Sequence, residues 1–106
     1  MKAEKQTNLL PVFVASILKF ATKDFHNVES VERDSVISQM DYYARSYAKE
    51  KGIDYESLPT IESDFSDLNT KENSLLLAHN LTNPKTQSQS DIKINLMACK
   101  AFLKTL

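Results

Sequence analysis

The chain has 106 residues, of which 42% are hydrophobic and 25% charged, with one Gly, three Pro, one Cys and no Trp, a composition that suits one compact domain and leaves no room for a second. The single Gly argues against phosphate-cradling loops, dinucleotide fingerprints and tight hairpins, which need several residues that take φ > 0 cheaply or let backbone approach a ligand closely. Thirteen basic and fourteen acidic residues leave a formal net charge of −1, so bulk electrostatics would not hold a polyanion.

The first apolar run, residues 9 to 18, lies behind Lys2 and Lys5 and has the look of a secretory signal. Glu4 in the basic region and Lys19 where small cleavage-site residues belong count against that. The run is also far shorter than the roughly 20 residues a bilayer crossing needs. It is expected to be a helix over about 9 to 25, capped by Thr7 or Asn8, with Pro11 in the first turn where its missing N–H has no intrahelical partner. Leu10, Phe13, Val14, Ile17, Phe20, Ala21 and Phe25 fall at three- and four-residue spacings, with Val12 and Leu18 widening the face. Such an apolar helix belongs at the centre of the fold.

Asn27 or Ser30 is positioned to cap a second helix running to about Glu50. Lys49, Lys51 and Gly52 mark its end, Gly52 standing where a left-handed residue is wanted. Its stripe is Val36, Ile37, Met40, Tyr43, Ala44, Tyr47 and Ala48, the clearest helical periodicity in the chain. From 53 to 69 the pattern weakens, and short helical turns are expected there, since a structureless loop of that length is unusual in a small domain. Tyr55 and Leu58 suit a turn capped by Asp54 and stopped by Pro59, and Ile61, Phe65 and Leu68 suit another. Thr70 is read as the cap of a helix carrying Leu75, Leu76, Leu77, Ala78 and Leu81, ended by Asn83-Pro84 because the residue before Pro is driven out of the α region. Residues 85 to 90 read as a polar loop. A last helix, capped by Ser88 or Ser90, carries Ile92, Leu96, Cys99, Leu103 and Leu106 in one row, with Phe102 beside it.

No segment alternates in the manner of a strand, and no Asn-Gly or Asp-Gly hairpin signal occurs. The expected fold is therefore all-α, a compact antiparallel bundle of about four main helices plus one or two short helical turns, with no sheet, in a single domain.

Chemistry is thinly represented. His26, His79 and Cys99 are too few and too scattered for a metal set, and Cys99 belongs to the apolar row, where it reads as an inert buried thiol in a cytoplasmic protein. No Walker loop, Gly-x-Ser-x-Gly or His-Glu-x-x-His occurs. The expectation is a chain without catalysis, metal or cofactor. Residues 53 to 72 hold six carboxylates (Asp54, Glu56, Glu62, Asp64, Asp67, Glu72) against Lys71, a solvated connector or a patch for a basic partner. Acid–base work by Glu62, Asp64 and Asp67 would need a polar cleft around them.

Tyrosines are the most suggestive group. Tyr43 and Tyr47 join the apolar stripe, while Tyr42 and Arg45 stand off it and belong to residue types that concentrate in protein interfaces. The leading expectation is a helical regulator, adaptor, inhibitor or immunity-type factor that binds another protein, through Tyr42, Arg45, Tyr55, Glu62, Asp64 and Asp67. A homodimer through the apolar row of the last helix is also open. The alternative is a nucleic-acid-associated domain using Lys85, Lys93, Lys100 and Lys104 near the C-terminus, disfavoured by the acidic stretch after Gly52 and by only two Arg in the chain. No membrane partner is expected.

Overall fold

Apolar side chains spaced three and four apart put one stripe on each helix, and the fold buries those stripes against one another. The computed structural model describes residues 9–22, 30–60 and 70–106, and among these it holds four α-helices, two short 3-10 turns and no strand. Helix α1 is Leu9–Thr22, α2 is Ser30–Glu50, α3 is Thr70–Thr82 and α4 is Gln89–Thr105. The short turns are Tyr55–Ser57 and Pro84–Thr86. Together they form the expected antiparallel all-α bundle. Residue 25, the possible caps Thr7, Asn8 and Asn27, and the 61–68 turn lie outside the described residues.

Helix α1 packs most extensively on α3 and next on α2, while α4 closes the bundle against α3 and α2. Its buried residues, Phe13, Ser16, Ile17 and Phe20, recur at the helical period. Phe13 meets the ring of Tyr47 on α2 at 5.6 Å, and Phe20 meets Phe102 on α4 edge to face, also at 5.6 Å. α1 thus touches all three other helices, the central place its apolarity predicted. Aromatic pairs of this kind contribute about 0.5–1.5 kcal/mol beyond the area they bury. On α2 the stripe behaves as read: Val36, Met40, Ala44, Tyr47 and Ala48 are buried, with Ile37 and Tyr43 half-buried.

The end of α2 is set by Gly52. Ile53 N–H donates to the Ala48 carbonyl at 2.8 Å and Gly52 N–H to the Lys49 carbonyl at 3.1 Å, the paired bonds of a Schellman cap. Gly52 takes φ +73°, the only positive φ among the described residues. Ile53, the apolar residue that this cap directs back toward the helix, is buried.

Four local expectations need correction. Asp54 precedes the 55–57 turn, but its side chain makes no cap; its carbonyl accepts from Ser57 N–H and Oγ instead. Thr70 is the first residue of α3 rather than its cap. The 85–90 segment is not a plain loop. Asn83 Oδ1 accepts from Lys85 N–H at 2.9 Å and starts a 3-10 turn at Pro84, and Ser88 Oγ accepts from Asp91 N–H at 3.1 Å to start α4 at Gln89. The capping serine is therefore Ser88.

The fourth correction concerns which side of α3 is inside. Leu77, Ala78 and Leu81 are buried as expected, but so are Asn73 and Ser74, while Leu75 and Leu76 are about half exposed. Small side chains explain this orientation. Ser74 and Ala78 on α3 and Ser16 on α1 take little room, which lets the two helices approach, since interaxial distance follows the size of the side chains at the contact. Burial of the two hydroxyls is uncostly because each donates to its own helix, Ser16 to the Phe13 carbonyl at 2.6 Å and Ser74 to the Lys71 carbonyl at 2.9 Å.

In α4, Ile92, Leu96 and Cys99 are fully committed to the core, and Leu103 and Leu106 pack against it. That row covers the other helices of the same chain, so it does not offer the homodimer face considered from the sequence.

Nothing lies within 4 Å of a Cβ placed on Gly52, so the position is constrained by backbone handedness and not by space. Gly52→Ala is expected to destabilise the fold by about 1 kcal/mol, measured as a lower midpoint in urea unfolding with unchanged slope; an unchanged midpoint would refute the assignment.

Candidate functional site

The Schellman cap turns the chain sharply after α2 and lays the 55–57 turn back beside the last turns of that helix. Three groups meet there. Arg45 Nε donates to Asp41 Oδ2 at 2.9 Å, one turn earlier on α2, and its Nη1 donates to Glu56 on the turn. These hydrogen bonds, Asp41 first and Glu56 second, hold the Arg45 guanidinium even further into its charged form than usual. Because the pair is exposed, its contribution to stability is small, about 0.3–0.5 kcal/mol for the helical contact. Its main effect is to fix where the guanidinium sits.

Lys100 on α4 reaches the same turn from the opposite side of the chain. Its ammonium donates to the Tyr55 carbonyl at 3.0 Å and the Leu58 carbonyl at 2.8 Å. It also lies 4.9 Å from the centroid of the Tyr55 ring, with Arg45 Cζ 5.0 Å from that same centroid. Two cations therefore attend one aromatic ring, an arrangement whose attraction comes from the ring quadrupole. Tyr55 itself is buried, only 5% exposed, and its hydroxyl finds no hydrogen-bond partner among the described residues. Burial pushes the Tyr55 phenol well above its ordinary range, with Cys99 and Asp41 adding to the effect.

A shallow cavity of about 420 Å³ opens at this corner, lined by Arg45, Lys49, Gly52, Ile53, Asp54, Tyr55 and Glu56. One turn before Arg45, Tyr42 projects from α2, 63% exposed, its ring packed edge to face on Tyr43 at 5.3 Å. The residues singled out from the sequence thus divide. Tyr42 and Arg45 stand together on the outer side of α2, one turn apart. Tyr55 lies against Arg45 but is buried, a support for that side chain and not a surface contact. Glu62, Asp64 and Asp67 lie outside the described residues.

Sequence reasoning missed Asp41, Glu56 and Lys100 as members of this corner. The four-residue spacing of Asp41 and Arg45 was a usable signal. Glu56 and Lys100 carried none, since only the fold brings them to Arg45 and Tyr55. Lys100 also bears on the nucleic-acid alternative. One of the four lysines invoked for phosphate contact is already occupied by two backbone carbonyls, which weakens that surface.

Among the described residues no three His, Cys, Asp or Glu side chains converge as a metal set, and no helix is long and apolar enough to cross a membrane. Cys99 is fully buried, and burial pushes its thiol well above the ordinary range. His79 is exposed, and His26 lies outside the described residues. The fold and this corner define an all-α bundle in which a held Arg45 lines a shallow cavity, with exposed Tyr42 one turn away on the same helix. Comparison with known protein families, with curated proteins and with solved structures finds no match for the chain.

Two predictions follow from this geometry. Lys100→Met removes the charge bonded to the Tyr55 and Leu58 carbonyls and is expected to cost about 1–3 kcal/mol, read by urea unfolding; a loss below the error of that measurement would show that the turn stands without it. Cys99, Tyr55 and Tyr47 all have their ionisation opposed by burial, so the folded state holds protons that the unfolded state releases. Stability is therefore full below the unfolded thiol value near 8.5, and declines as pH rises past about 9 to 10. Thermal melts across pH 7 to 11 test this, as does an aromatic disulfide reagent, to which Cys99 is expected to react only on unfolding.

Proposed function

We propose that the chain works by binding another protein through the outer side of α2, as a regulator, adaptor, inhibitor or immunity-type factor without catalysis of its own. The observation that carries this reading is Tyr42. A large aromatic side chain 63% exposed, braced by Tyr43 and one turn from Arg45, presents interface-forming chemistry at little conformational cost. Isolated exposed apolar residues are ordinary on protein surfaces. What supports a binding role is the company Tyr42 keeps. Arg45 is held in place by Asp41 and Glu56 and backed by the Tyr55 ring, so less side-chain freedom remains to be lost on association. The cavity that Arg45 lines offers a recess for a partner side chain.

Tyr42→Ala and Arg45→Ala test the reading. Partners captured by the wild-type chain are identified, purified and titrated against all three proteins. A role at the centre of the interface predicts a loss of at least about tenfold in affinity for Tyr42→Ala, the order expected when a hot-spot aromatic is truncated. The melting temperature should hardly change, because the Tyr42 ring lies outside the core. Equal affinity of both variants for every purified partner would refute the assignment.

A further inference from the structure

Past the cap of α2 the chain lies over the bundle as a strap. Asp54, Glu56 and Ser57 are exposed, Leu58 is half-buried, and Tyr55 is the one fully buried side chain from 54 to 58. The backbone just upstream is held separately: Ile53 N–H donates to the Ala48 carbonyl at 2.8 Å, and Gln89 Nε2 of α4 donates to the Lys51 carbonyl at 3.0 Å. A pivot therefore falls at Asp54. We infer that residues 54 to 58 form a latch that lifts while the described helices stay folded, and that its closed position is what keeps Arg45 bonded to Glu56. The latch is a property of this chain alone. Its bearing on partner binding rests on the reading of the outer side of α2 as a protein-binding surface, whose Arg45 it fixes or frees.

The forces that close the strap are few. Among the described residues, the backbone bonds of 54 to 58 stay inside the turn, Ser57 N–H to the Asp54 carbonyl and Leu58 N–H to the Tyr55 carbonyl, both at 3.2 Å. The bonds that join the strap to the helices come from side chains, Lys100 to the Tyr55 and Leu58 carbonyls and Arg45 to Glu56. The Glu56 side chain is 72% exposed, and an ion pair in water holds weakly. Arg45 keeps its bond to Asp41 on its own helix in either position, so opening does not strand its charge. The principal anchor is the Tyr55 ring, attended by Arg45 from α2 and Lys100 from α4.

That same side chain carries the force that opposes closure. Its hydroxyl is buried without a hydrogen-bond partner, a loss of hydration that nothing in the closed strap returns and that opening restores. A phenylalanine would fill the seat with the same ring and attract the same two cations. Few buried apolar side chains, and attachment through long flexible donors, characterise a segment that opens locally, ahead of the fold as a whole. Once released, a single 3-10 turn has too few bonds to persist. The Ser57 and Leu58 amides then lose their acceptors, and Arg45 loses both Glu56 and the ring behind it.

Relaxation-dispersion NMR of the full chain tests the latch. The Ser57 and Leu58 amides report the strap, Arg45 Nε–H reports the guanidinium, and the Leu96 and Phe102 amides report α4. The strap amides and Arg45 are expected to share one exchange rate and one open population on the microsecond-to-millisecond scale, while the α4 amides show no dispersion. Lys100→Met is expected to raise the open population about tenfold and Tyr55→Phe to lower it about fivefold, opposite effects that follow from losing a charged bond and losing an unpartnered buried hydroxyl. Should Lys100→Met fail to fold, hydrogen exchange of the wild type and Tyr55→Phe decides. The Leu58 amide should exchange with little dependence on urea, because little surface is uncovered, and severalfold more slowly in Tyr55→Phe. Flat dispersion in folded Lys100→Met, Leu58 exchange with the urea dependence of the α4 amides, faster opening in Tyr55→Phe, or an Arg45 rate unrelated to that of the strap would each overturn the inference. These measurements need no partner, so if Tyr42→Ala and Arg45→Ala leave every purified partner's affinity unchanged, the binding surface is refuted and the latch stands.

Discussion

The ammonium of Lys100 holds together parts of the chain that are far apart in sequence. By donating to the carbonyls of Tyr55 and Leu58, it ties α4 to the turn that follows α2, adding to the Leu58 N–H bond that the Tyr55 carbonyl already accepts within the turn. Everything at that corner depends on the tie. The tie is made on the carbonyl of Tyr55, whose ring in turn backs the Arg45 guanidinium that Asp41 and Glu56 hold in place. The cation is only half-buried, so it keeps part of its hydration while making these bonds, and the heavy cost of a fully desolvated charge does not arise.

How much of this was legible in the sequence differs from element to element, for physical reasons. α2 was plain because its stripe is apolar, periodic and ended by a residue whose missing side chain permits a left-handed turn. The start of α4 was legible only to within Ser88 or Ser90, two hydroxyls that both suit a cap, and the bond from Asp91 N–H decides for Ser88. α3 was harder. Its five apolar residues crowd one short stretch, so hydrophobicity alone did not say which of them face inward, and the answer came from the room that Ser74 and Ala78 leave for α1. Periodicity records how apolar a position is; it does not record how closely a neighbouring helix must approach.

The functional corner shows the same division. Tyr42 and Arg45 were identifiable as residues that did not fit the core stripe of their own helix, and they do stand on the outer side. Tyr55 was grouped with them by proximity in sequence, but the reversal of the chain after Gly52 turns its ring inward. Lys100 was assigned to a basic flank because its charge is visible in the sequence and its two carbonyl partners are not. Contacts spanning more than forty residues depend on how the helices pack, so they become readable only once the bundle is assembled.

Gly52 has open space around it and a backbone of the wrong hand for an ordinary residue. The position therefore selects by chirality and is indifferent to size. A D-amino acid, for which positive φ is the relaxed state, would occupy it without strain, and in doing so would restrict the unfolded chain more than glycine does. The cap that ends α2 and directs the chain toward Lys100 is in this sense a mirror-image site in an otherwise right-handed protein, filled by the one genetically encoded residue that has no hand.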